Sequence, residues 1–138
     1  MAKSNSLEAL SVRLTLRSKE VVINAERIVR RAAVAADGAL ILTTPRDTGR
    51  AAGNWNVSVG HVNTAVREIN FPDQNGALSE GQAQLQAWRL GSGIIFIANS
   101  LPYIMSLENG SSAKAPNGMM QHALLAARQQ VAVGRLLG

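Results

Sequence analysis

Apolar residues recur through the first third of the chain at seven-residue steps: Leu7, Leu14, Val21, Ile28, Ala35 and Leu42. Ala25, Ala32 and Ala39 follow three of them at an interval of four, so both rows fall on one stripe of an α-helix. The pattern predicts a single helix over about 7–42. At about 1.5 Å per residue it would be on the order of 50 Å long, more than one small domain covers, so part of it must pack on a partner or break. The alanines at 32, 33, 35 and 36 permit close approach of another backbone, and Gly38 is the weak point of helix propensity.

Thr43-Thr44-Pro45 ends that periodicity, and Pro45 to Gly49 reads as a turn in which the Asp47 or Thr48 side chain bonds nearby amides. From Asn54 to Val59 the alternation predicts a strand with Trp55, Val57 and Val59 on the buried face and Asn54, Asn56 and Ser58 on the other. Trp55 is expected under the first helix. After a turn at Gly60, Val66–Asn70 is expected to return as an antiparallel strand. Phe71 to Gly76 reads as a loop, and Ser79 as the cap of a helix over about 80–90 with Leu85 and Trp88 on its inner side. Gly91-Ser92-Gly93 stops it, and Ile94–Ala98, apolar throughout, is expected to be a strand buried on both faces.

Pro102 disfavours further extension, and Tyr103, Ile104 and Leu107 share one face of a short helical turn that Asn109-Gly110 ends. After a small polar loop, Pro116-Asn117-Gly118 turns the chain into a last helix over about 118–136, with Met120, Ala123, Leu124, Ala127 and Val131 on its stripe. Met119 and Met120 are adjacent and cannot both point inward, which leaves one of them to meet a partner. These elements predict an α+β fold: a small, mainly antiparallel sheet packed against a long N-terminal helix, a middle helix and a C-terminal helix. At 138 residues, one domain over 1–138 is expected.

Composition narrows the chemistry. With no cysteine there are no disulfides and no thiolate metal sites, and His61 and His122 have no partner at ligand spacing. No serine sits in a nucleophile elbow, and the nine carboxylates are scattered with arginine or lysine often nearby. The chain therefore reads as a protein of contacts, not an enzyme, with no cofactor expected. No signal peptide or membrane span is expected, which points to a cytoplasmic site of synthesis. The net charge of +5 permits contact with an acidic partner. A basic edge of Arg27, Arg30 and Arg31 faces solvent, an acidic neighbouring subunit, or DNA.

Two blocks carry a family resemblance. Thr44-Pro45, Asp47-Thr48-Gly49-Arg50 and Asn54-Trp55 form the first; Asn99, Pro102-Tyr103, Leu107-Glu108, Gly110-Ser111, Ala115-Pro116 and Gly118-Met119 form the second. In this order and spacing the chain resembles the small neck and tail-completion (tail terminator-like) proteins of long-tailed double-stranded DNA bacteriophages. The resemblance implies a virion structural protein at the head–tail junction, assembled in the host cytoplasm. Identical copies, six to match tail symmetry, would form a ring around the DNA channel, between head-side connector proteins and the tail-tube protein. Arg46, Asp47, Arg50, Tyr103, Glu108 and Met119 are the expected subunit-interface residues, with Tyr103 as anchor and Glu108 pairing with Arg46 or Arg50 within a copy or across copies. The alternatives are a basic nucleic-acid-binding or packaging-associated protein using the Arg27–Arg31 edge, and a tail-assembly chaperone absent from finished particles.

Overall fold

In a computed structural model of the chain, residues 6–45, 50–67, 74–110 and 117–137 are described, the side chains of 74 and 75 excepted. Helix α1 spans Leu7–Thr43, within one residue of the predicted end. Ser6 caps it by accepting the Ala9 N–H at 3.1 Å. A 3₁₀ turn (Ala52–Asn54) leads into β1 (Asn56–Val59); α2 (Gln74–Gln86), β2 (Ile95–Ala98), α3 (Ile104–Glu108) and α4 (Met120–Val133) follow. The fold class is α+β, with β1 and β2 forming a two-stranded antiparallel sheet. No helix among the described residues is long and apolar enough to cross a membrane.

The core gathers at the C-terminal end of α1. Leu40 and Ile41 meet Ala52, Trp55, Ala77, Met119 and Ala123 there, with Ile97, Ile104 and Leu107 packed around them. Trp55 lies under α1 as expected and donates its indole N–H to the Thr44 hydroxyl at 2.8 Å. That hydroxyl donates in turn to the Leu40 carbonyl, so both polar groups are satisfied where the helix ends. Helix α4 runs back along α1: Met119 sits at the core, Gly134 would place a Cβ 2.5 Å from Ile28, and Asn24 donates to the Leu136 carbonyl at 2.7 Å.

Five expectations need correction. Among the described residues the partner of β1 is β2, in the register Asn56↔Ala98 to Val59↔Ile95, and no returning strand begins at Val66. Residues 62–67 form no strand, and 68–70 lie outside the described residues. The reason is a pair of side chains assigned to the wrong face: Asn54 and Asn56 are both buried. The Asn54 amide donates to the carbonyls of Arg50 and Arg67 and accepts the Arg67 N–H at 2.6 Å, and Asn56 donates to the Ala65 carbonyl. Side-chain amides thus do for this segment what strand pairing was expected to do.

Helix α2 begins at Gln74, before the expected Ser79 cap, and stops at Gln86. Ala77, Gly81 and Leu85 are buried at four-residue intervals, so the inner stripe starts upstream of Ser79, which is exposed. Beyond Gln86 the chain is drawn onto α1, where Arg30 donates to the Trp88 carbonyl at 2.9 Å and Glu26 accepts the Leu90 N–H at 2.8 Å. Strand β2 is half-buried at every position, not enclosed on both faces, because a two-stranded sheet leaves it solvent-facing surface. On α4, Ala123 faces the core, whereas Met120, Leu124 and Val131 of the predicted inner stripe are exposed. The close approach of Gly134 to Ile28 leaves room between α1 and α4 only for small side chains.

Candidate functional site

Every residue from Leu10 to Lys19 on α1 is exposed. Two rows of seven-residue spacing run through this outer part. In the first, Leu7, Leu14, Val21 and Ile28, the inner member Ile28 packs on α4 at Gly134. In the second, Leu16, Ile23, Arg30 and Asp37, Arg30 meets the chain after α2 and Asp37 lies against Gly81 of α2. Leu14 and Leu16 differ by two residues, roughly 200° around a helix, so the rows lie on opposite sides. Their outer members are uncovered: Leu7 is 84% exposed, Leu14 58%, Leu16 59% and Ile23 52%. A surface helix needs one apolar stripe, and this one carries two. A third uncovered apolar surface lies on α4, where Met120, Leu124 and Val131 share a face.

The two blocks that carry the resemblance come together in space. Asn99 donates to the Ala51 carbonyl at 2.9 Å, and Trp55, Ile104, Leu107 and Met119 share the core. Arg46 and Asp47 lie outside the described residues. Arg50 is half-buried, and its carbonyl accepts from Asn54 at 2.8 Å. Tyr103, at the start of α3, is 38% exposed, while Ile104 and Leu107 turn inward. Met119 has no exposed surface, so Met120, 47% exposed, is the methionine able to meet a neighbour. Among the described residues the partners of Glu108 lie at the start of α4, and its expected pairing with Arg46 falls outside them. Its carboxylate accepts the N–H groups of Met119 and Met120 at 2.8 and 3.1 Å, capping α4. Gly118, at φ 78°, makes this possible, since a Cβ there would lie 2.3 Å from the Glu108 carbonyl oxygen.

Arg27, Arg30 and Arg31 do stand together. They line a groove of about 500 Å³ with Val34, Gln86 and Gln130, between α1, the end of α2 and α4. Arg27 and Arg31 also line an adjoining cavity of about 410 Å³ that reaches Asn24, Gly134 and Arg135. No local pattern places Arg135 there, since only the antiparallel run of α4 brings it alongside.

Asp37 was also missed. It is 1% exposed, neither carboxylate oxygen has a hydrogen-bond partner, and burial pushes its pKa up to about 7. Gly81 packs directly against it, where a Cβ would come 2.3 Å from Oδ2. The single acid in an alanine-rich run of α1 was the available signal. Among the described residues no group of three or more His, Asp or Glu is placed to hold a metal ion. No protein-family model matches the chain, and neither does any curated protein or solved structure.

Proposed function

We propose that this chain is a virion structural protein that assembles into a ring at the head–tail junction of a long-tailed phage, completing the tail end or neck around the DNA channel. The observation that carries the self-association is the outer part of α1, apolar on two opposite sides and covered on neither. Burying a leucine-sized side chain stabilises by roughly 1.5–3 kcal/mol, so a neighbour on each side would gain several such contributions. Contacts on two sides suit head-to-tail association, in which each copy meets two others and a closing rotation makes a ring. The outward face of α4 supplies a surface of matching character. The placement at the junction rests on the two sequence blocks and on their meeting in one folded unit. Six copies, the head-side connector and the tail-tube protein are the partners this reading names, and the chemistry required of the chain is adhesion, not catalysis.

Light scattering and negative-stain imaging of the purified protein test it. The expected result is a closed ring with a mass several times 14.6 kDa. A monomer at the highest concentration reached would overturn the reading.

A further inference from the structure

We infer that the arginine-lined trough on α1 is a binding site for the phosphates of a nucleic-acid duplex, held without regard to base sequence. Arg27 and Arg31 are one helical turn apart on the same face of α1, and both line the groove beside Gln86 and the cavity beside Arg135. The two hollows therefore form one trough. Arg27, Arg31 and Arg135 are exposed, and none of their guanidinium groups has a hydrogen bond or ion pair among the described residues. Arg30 is anchored by its bond to the Trp88 carbonyl and brings its charge to the groove wall.

The nearby acids are already engaged. Glu20, at the outer end of the trough, pairs with Arg17 at 3.3 Å, and Glu26 accepts the Leu90 N–H. The segment from Asn117 to Leu137 contains no aspartate or glutamate, so the α4 wall adds only positive charge. Guanidinium groups gathered in one trough repel each other unless an anion lies between them. Their planar forks also suit phosphate oxygens better than an ammonium does. Gln86 and Gln130 add neutral amide donors on either wall. Among the described residues no aromatic side chain lines either hollow, so they offer no platform on which unpaired bases would stack. What remains is contact with the backbone, which carries no sequence information. This site stands independently of ring formation.

Fluorescence anisotropy of the full chain with a labelled random-sequence duplex, across a salt series, tests the inference. Three phosphate contacts predict a log–log salt slope near −3, and each arginine removed should lower its magnitude by about one. R27Q/R31Q/R135Q is therefore expected to lose nearly all salt-dependent binding. R13Q/K19Q, which removes two charges from the outer turns of α1 and leaves the Arg17–Glu20 pair in place, is expected to keep most of it. Wild-type affinity and slope in the first variant, or equal loss in the second, would overturn the site. Single-stranded oligonucleotides binding more tightly than the duplex would also overturn it. Arginine-selective labelling of the wild type gives an independent reading: duplex should protect Arg27, Arg31 and Arg135, and unprotected labelling would refute the assignment. Light scattering on each variant reports assembly separately, so loss of the ring and loss of the phosphate site are told apart.

Discussion

Glu108, the last residue of α3, holds the backbone N–H of Met119 at 2.8 Å and so caps a helix other than its own. Helix α4 has no side-chain cap from its own N-cap residue, and Glu108 places a negative charge where the helix dipole favours one. The contact joins the two ends of a segment whose middle, 111–116, lies outside the described residues. Glu108→Ala should destabilise the fold by about 1–2 kcal/mol, read from the urea midpoint at unchanged m-value. Glu108→Gln should recover part of that loss, because its amide oxygen still accepts. If ring assembly survived both R50E and E108R single variants, an Arg50–Glu108 pair across copies would be ruled out.

Asp37 makes stability depend on pH in an unusual direction. Its folded-state pKa of about 7 lies above the unbound value of 3.8, so between those limits the folded chain holds a proton that the unfolded chain has released. Stability from this residue is complete below pH 3.8 and is lost as pH rises toward 7. The slope is about 1.4 kcal/mol per pH unit. Asp37→Asn should remove it, so the variant's stability advantage should grow steadily from pH 4 to 7 and then level off. Denaturation of both proteins across that range measures the difference, and a constant difference would contradict the burial argument.

Gly81 tests the same contact from the other side. A methyl group there would meet Asp37 Oδ2 at 2.3 Å and Val57 Cγ2 at 3.1 Å. Gly81→Ala should cost about 1–3 kcal/mol by overpacking, despite the better helix propensity of alanine. Combining it with Asp37→Ala, which empties the space, should recover much of the loss in a double-mutant cycle.

Asn54 is the polar centre that fixes the chain after β1. Its side chain, itself fully buried, serves the half-buried carbonyls of Arg50 and Arg67 and the Arg67 N–H. Asn54→Ala would take a partner from each of these half-buried groups and should cost about 1–3 kcal/mol. Hydrogen exchange at Arg67 should accelerate in the variant.

Leu14→Gln with Leu16→Gln separates folding from assembly. Both side chains are exposed, so the thermal midpoint at low concentration should barely move, with a stability change within about 0.5 kcal/mol. Assembly should fall toward the 14.6 kDa monomer. An unchanged ring would show that the outer part of α1 is not the adhesive surface.

Much of this fold is legible in the amino-acid sequence. The seven-residue rows marked α1 almost to its last residue, because helical periodicity over so many turns leaves no competing reading. Trp55, Leu85 and Trp88 are buried as their size and polar neighbours predict. The left-handed stop at Gly110 was readable from the Asn-Gly pair, and its φ is 86°. The three clustered arginines of α1 were readable too, since helix spacing alone puts them on neighbouring faces.

The rest depended on distances between elements that no local pattern encodes. Size suggested that Met120, Leu124 and Val131 would face inward, yet the close approach of Gly134 to Ile28 gave that place to Ala123 and its small neighbours. Polarity suggested that Asn54 and Asn56 would face water, yet the carbonyls of Ala65 and Arg67 drew them in. Asp37, the Glu108 cap and the addition of Arg135 to the trough likewise exist only because chain segments remote in sequence meet. Periodicity fixes which way a residue points on its own helix or strand; what it meets there is set by how closely the elements pack and which polar groups they must satisfy.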